Sequence, residues 1–178
     1  IEFSSTDEWT VSIWLEWTGL SLSEDFSFIF GDITSLVYEF TLRHGNTNTI
    51  SYRMENAEYM IFSANNADIL YNNGWHNIII VADGFNNLSL YIDGNFMQSI
   101  SGNTKLILNS FGRAYTTGQH AFMGKMDEIK VYNKALTNYE VLDLYESFSN
   151  ITLWKAYDNN LYYLTGNVLI GKNIQTNP

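Results

Sequence analysis

The sequence predicts an all-β fold in which two antiparallel sheets stack as a sandwich, with one short helix. Three observations carry this expectation. Residues 74–94 read as two strands joined by a polar turn and closed by a tight Asp93-Gly94 corner. Residues 122–145 read as a last strand followed by a capped helix. Elsewhere apolar residues alternate with period two, and clusters of Gly, Asn, Asp and Ser interrupt them about every ten residues, the spacing of a sandwich or barrel.

Taken in order, Glu8–Trp17 alternates cleanly. Trp9, Val11, Ile13, Leu15 and Trp17 share one face, and Thr10, Ser12, Trp14 and Glu16 share the other. Phe26–Phe30, Val37–Arg43, Thr49–Met54 and Glu58–Ser63 are further strands, with turns at Gly31-Asp32 and His44-Gly45-Asn46. Trp75–Ala82 is apolar on both faces, as a covered central strand is. Leu88, Leu90 and Ile92 form the inward face of the next strand, and Asp93-Gly94-Asn95 turns the chain into Phe96–Ile100. Met123–Tyr132 closes the sandwich. Strict alternation there puts Asp127, Ile129 and Val131 toward the core, and Met126, Glu128, Lys130 and Tyr132 on the opposite face. A helix is expected over Asn138–Phe148. Thr137 and Glu140 make a capping box, Leu136 and Val141 a hydrophobic staple, and Val141, Leu142, Leu144, Tyr145 and Phe148 an apolar stripe that lays it on the sandwich. After Ser149 the texture changes to short apolar runs at Ile151–Tyr157, Leu161–Leu164 and Gly166–Ile170. The expected organisation is one domain over residues 1–149 and a short β-rich extension over 150–178.

Composition narrows the function classes. A chain of 178 residues buries about 70% of its unfolded surface and folds on a core alone. It has no cysteine, so neither disulfides nor thiolate-bound zinc support it. Its 19 acidic and 9 basic residues leave a net charge of −10, which disfavours nucleic acid as a partner and suits calcium or neutral sugars. The longest apolar run, Ile78–Ala82, is far too short to insert in a membrane. The chain opens on Ile1 rather than Met, which suggests a piece of a longer polypeptide.

Three segments, in order and spacing, resemble the laminin-G-like domains of the concanavalin-A-like lectin/glucanase superfamily. They are Trp9-Thr10-Val11-Ser12-Ile13-Trp14; Gly74-Trp75-His76-Asn77 with Leu90-Tyr91-Ile92-Asp93-Gly94; and Phe122–Thr137 running on into Glu140 and Leu144-Tyr145. The resemblance implies a jelly-roll β-sandwich. It implies recognition of a glycan or a cell-surface receptor in an extracellular or cell-surface setting. The fold itself does not name the ligand. A further segment, Thr165–Gly171, resembles a sequence of bacteriophage tail fibres. That would imply display on a virion, recognition of a host receptor and a homotrimer.

Among chemically capable side chains, Asp127 stands first. On its expected inward face a carboxylate needs hydrogen bonds, a partner charge or a cation. The resemblance implies a calcium ion there, with Asp32 a second candidate ligand. A calcium shell takes six to eight oxygens, most of them invisible in sequence. Hydrolysis of glycosides needs two carboxylates flanking one bond. Asp127 and Glu128 are adjacent on a strand and so are expected to project from opposite faces, which argues against an enzyme. The loop Asn109–His120 carries Arg113, Tyr115, Gln119 and His120, and a second turn carries Arg43 and His44; these are the expected ligand-binding positions. His76, beside what reads as a core tryptophan, is expected to be structural. Trp14 is either a ligand platform or a packing residue, and its match to a family position favours packing. A structural or protein–protein module that binds no sugar is the alternative.

Overall fold

A computed structural model describes residues 1–19, 26–34, 37–43, 49–54, 59–62, 69–71, 73–113, 120–149, 154–157 and 160–163. The strands are β1 (Glu2–Phe3), β2 (Glu8–Gly19), β3 (Ser27–Gly31), β4 (Glu39–Arg43), β5 (Thr49–Arg53), β6 (Tyr59–Phe62), β7 (Trp75–Asp83), β8 (Asn87–Ile92), β9 (Asn95–Ser101), β10 (Leu106–Ile107), β11 (Ser110–Phe111) and β12 (Met123–Tyr132). Helix α1 (Asn138–Ser149) follows, then β13 (Trp154–Tyr157) and β14 (Asn160–Tyr163). Two five-stranded antiparallel sheets form the sandwich, in the orders β11-β3-β4-β5-β6 and β12-β2-β7-β8-β9. β1 pairs with β10, and β13 with β14 as a hairpin. The expected two sheets and single helix are thus present. β10 and β11 are two residues each, too short for any period to betray them.

Alternation builds the core. Trp9, Val11, Ile13, Leu15 and Trp17 are fully buried and meet Phe30, Phe40, Leu42, Ile50, Tyr52 and Phe62 of the other sheet. The two buried indoles still find acceptors: Trp9 Nε1 donates to Thr104 O at 2.9 Å, and Trp17 Nε1 to Ser27 Oγ at 3.3 Å. β7 is central and covered on both sides, as its apolar run predicts. Ile78, Ile80 and Ala82 enter the main core, while Ile79 and Val81 lie under the helix with Tyr91, Leu136 and Val141.

The capping box forms as expected. Thr137 N donates to Glu140 Oε2 at 2.9 Å, and Glu140 N donates back to Thr137 Oγ1 at 3.3 Å. Leu136 and Val141, the staple pair, are 8% and 0% exposed. Burying side chains of this kind stabilises by about 1.5–3 kcal/mol each, so this contact, more than helix propensity, holds α1 to the sheet.

The segment 74–94 owes its signature to one carboxylate. Asp93 takes a left-handed φ of 51° at the β8–β9 turn, and Gly94 follows at 75°. Asp93 Oδ2 lies 2.7 Å from His76 Nδ1, and Asp93 Oδ1 accepts from Asn77 N at 2.9 Å. Asp93 N donates to Asn77 O at 2.9 Å. One turn is thereby clamped to the start of β7, and His76 is the structural residue it was expected to be. A Cβ at Gly94 would lie 2.9 Å from Tyr145 Cδ1, which shows how closely the helix sits on this corner.

Two expectations need correction. Asp127 does not point inward: it is exposed, and Ile129 is 40% exposed. The cause is a β-bulge. Asp127 pairs with Trp14 and Lys130 with Ser12, so Glu128 and Ile129 together oppose the single residue Ile13. One extra residue reverses the alternation. Met126 before it and Val131 after it both reach the main core. The other correction is Trp75, which is not a core residue; it is 42% exposed.

Candidate functional site: an indole and carboxylate cleft

Three strands of one sheet bring the site together. Asp127, Trp14 and Asn77 stand directly opposite one another across β12, β2 and β7, and Lys125, Glu16 and Trp75 form the next row. Directly paired residues share a face. Ile13 and Leu15 point into the core, so Trp14 and Glu16, with both rows, face away from it. The bulge then swings Glu128 to the same side, with its backbone at φ 50°. The result is a cleft of about 280 Å³ lined by Trp14, Trp75, Asp127 and Glu128.

Trp75 is the exposed wall, at 42%, whereas Trp14 is fixed from behind. Its ring stacks on Tyr145 of α1, with centroids 5.7 Å apart and planes 18° from parallel. Among the described residues, Trp14 Nε1 and Asn77 Oδ1 are buried without a hydrogen-bond partner. The Asn77 amide nitrogen is engaged, donating to Ser12 Oγ at 3.2 Å and Ile13 O at 3.3 Å. A buried polar atom left unsatisfied costs about 1–3 kcal/mol, so two of them in adjacent opposed residues beside a cleft require a reason.

The electrostatics of the cleft are lopsided. Lys125 Nζ is 2.6 Å from Glu16 Oε2, so that cation is already neutralised. Asp127 Oδ1 accepts the Glu128 N–H at 2.8 Å, and neither carboxylate joins an ion pair among the described residues. The expectation that these two acids project from opposite faces fails, because the bulge brings both to one cleft. Both are exposed. Exposed carboxylates can accept hydroxyl hydrogens or attract a cation.

Of the ligand-binding residues expected from sequence, neither Arg113 nor His120 lines this cleft. Arg113 and His120 border residues 114–119, which lie outside the described residues. Arg113 is exposed, and its carbonyl accepts Ser110 Oγ at 2.8 Å. His120 stacks on Phe26, with centroids 3.9 Å apart, and its carbonyl accepts the Phe28 N–H at 2.8 Å. Tyr115 and Gln119 lie outside the described residues, as does His44. Arg43 ends β4, opposite Thr49.

The aspartates expected to hold calcium lie on different elements, Asp32 just after β3 and Asp127 within β12. Asp32 is 4% exposed, and its Oδ1 accepts from Thr34 N at 2.9 Å, Thr34 Oγ1 at 2.7 Å and Asn109 Nδ2 at 2.7 Å. Three donors converge on the oxygen that a cation would need. Asp127 has Glu128 beside it, but no group of three acidic or histidine side chains able to hold a metal occurs among the described residues. Among the described residues, Asp32 and Asp127 do not come together in one cation shell.

A broader hollow of about 750 Å³ lies beside α1, lined by residues including Tyr132, Lys134, Tyr139, Leu142 and Asp143. It is the larger space, yet no unsatisfied buried polar atom lines it, and Lys134 is paired with Glu140. The smaller cleft is the better site on chemical grounds.

Comparison with known proteins decides the family. A laminin-G-like family profile, of the Concanavalin A-like lectin/glucanases superfamily, matches residues 1–142. The chain belongs to that superfamily. This member's fold resembles the native heptameric SAP-like pentraxin from Limulus polyphemus, with a TM-score of 0.61 at 13% identity over 79% of this chain and 70% of that one. It also resembles the botulinum neurotoxin serotype D binding domain, with a TM-score of 0.61 at 21% identity over 87% of this chain and 40% of that one. A third is the receptor binding domain of the botulinum neurotoxin mosaic serotype C/D, with a TM-score of 0.59 at 18% identity, covering 83% of this chain and 41% of that one. The chain thus spans about two fifths of the toxin binding domains. No curated protein sequence matches it. The family match ends before Thr165–Gly171, which lies outside the described residues, so the tail-fibre resemblance gains no support.

Proposed function

We propose that this superfamily member is a non-catalytic recognition module that binds carbohydrate in the Trp14–Trp75–Asp127–Glu128 cleft, in an extracellular or cell-surface setting. The observation that carries the reading is the pairing of an open indole, Trp75, with a braced one, Trp14, beside two uncommitted carboxylates. An indole face covers the apolar C–H face of a sugar ring, and carboxylates accept its hydroxyl hydrogens and fix its orientation. At about 280 Å³ the cleft is near the lower end of small-ligand sites, which suits one ring of a longer glycan.

The experiment is a tryptophan-fluorescence titration against a panel of defined oligosaccharides, repeated with Trp75→Ala. Saturable quenching lost in the variant supports the reading. Failure of every oligosaccharide to perturb the emission overturns it. The alternative, a protein-docking module without sugar binding, draws on the exposed Tyr139 and Leu142 of α1, at 75% and 42% exposure. It predicts that pull-down of a protein partner depends on those residues and not on Trp75.

A further inference from the structure

We infer that the cleft selects a sugar carrying a positively charged amine: its ligand is an amino sugar with a free ammonium group, not a neutral hexose or an N-acetylated one. This rests on the carbohydrate reading above and narrows it.

Asp127 and Glu128 line a cleft whose remaining walls are two indoles. The nearest cation in the same rows, Lys125, is held by Glu16 at 2.6 Å. Neither Asp127 nor Glu128 is in an ion pair among the described residues. Placing two adjacent carboxylates on one face is an outcome of the bulge, because an unbroken strand would have separated them. Like charges so placed repel one another, and a cation between them relieves that.

The aromatic walls favour the same species. An ammonium group near an indole face is attracted by the ring's quadrupole, most strongly for tryptophan. Indole faces with flanking carboxylates form the kind of cage that takes alkylated or primary ammonium groups. A neutral sugar would use the indoles but leave both charges without a counterpart. An N-acetyl group offers a single neutral N–H in place of an ammonium, so it leaves the two negative charges unbalanced. A lysine side chain of a protein would also bring an ammonium, but it has no flat face to cover Trp75. The two indoles tip the choice toward a pyranose ring that carries its own amine.

The test compares three disaccharides of one scaffold, the β-1,4-linked glucosamine dimer, its N,N′-diacetyl form and the neutral glucose dimer, by calorimetry and tryptophan fluorescence at pH 6 and 150 mM salt. The salt matters because a chain of net charge −10 attracts any cation weakly. The amine-bearing dimer should bind at least tenfold more tightly than either of the others. The double variant Asp127→Asn/Glu128→Gln should erase that preference while leaving the melting temperature unchanged, since both side chains are exposed. Equal or tighter binding of a neutral or acetylated dimer overturns the ammonium inference and leaves the carbohydrate reading standing. A preference for the amine that survives in the double variant also overturns it, since the charge would then be met elsewhere. Silence from all three dimers and from the wider oligosaccharide panel sinks both. A lysine-rich peptide that competes as well as the glucosamine dimer overturns the assignment to a sugar.

Discussion

Trp14 of β2 and Tyr145 of α1 stack with ring centroids 5.7 Å apart and planes 18° from parallel. The helix therefore supports the cleft it does not line. Tyr145→Ala should lower stability by about 2 kcal/mol, combining lost burial with lost aromatic pairing. It should also loosen ligand binding by freeing the Trp14 ring. Urea denaturation and the fluorescence titration together check both effects; unchanged affinity would show that Trp14 needs no brace.

Trp75 is the opposite case. At 42% exposure it contributes little to the core. Trp75→Ala should alter stability by less than about 0.5 kcal/mol, as surface substitutions usually do, while weakening the ligand by about tenfold, or roughly 1.4 kcal/mol. Calorimetry of both variants separates a platform from a packing residue.

Gly94 lies at φ 75° with Tyr145 and Leu142 against it. Gly94→Ala combines a strained backbone with a Cβ that would sit 2.9 Å from Tyr145 Cδ1 and 3.2 Å from Leu142 Cδ1. The expected loss is about 1–3 kcal/mol, read as a lower urea midpoint with an unchanged slope.

Acid should act on the helix start. Glu140 is held at about 2, well below its ordinary 4.5, because Lys134 donates to its carboxylate, followed by Thr137 through its backbone N–H and hydroxyl. A carboxyl with a lowered pKa stabilises the fold above its unfolded value, and that contribution is lost as pH falls toward its folded value. The melting temperature should therefore drop between pH 4.5 and about 2. Glu140→Gln keeps an acceptor for the Thr137 N–H but removes the charge, so the fall across that window should flatten. The effect is modest, since the group is at the surface.

Calcium is checked by chelation. Asp32 Oδ1 already accepts three hydrogen bonds, so removal of calcium should leave the melting temperature within about 1 °C, well under the several degrees that about 1 kcal/mol shifts a small domain. A fall of several degrees, restored by calcium alone, would place a cation in the fold.

The sandwich was legible because a core-facing side imposes a period of two on residue type, and the sequence of β2 alternates over Trp9–Trp17 even though Thr10 and Ser12 on the other face are buried as well. The helix was legible because its cap is local: Thr137 and Glu140 need only each other. The cleft was hidden for a different reason. Its geometry comes from the two-against-one pairing of Glu128 and Ile129 with Ile13, which a strict alternation misreads by one residue. Asp127 was rightly singled out but aimed the wrong way. Trp75 was hidden by its neighbours, since a tryptophan at the head of Ile78–Ala82 looks like more core. In the structure it precedes the buried stretch and stays in solvent.

Among the described residues, β12 is also the terminal strand of its sheet. An unbroken border strand offers a row of open amides and carbonyls on which a second molecule can grow. Here the extra residue after Asp127 interrupts that row, and Lys125, Asp127, Glu128 and Lys130 crowd it with charge. The same irregularity that shapes a binding surface thus guards the border against runaway self-assembly, and straightening it by deleting Glu128 should produce a sticky, fibril-prone protein as well as a blind one.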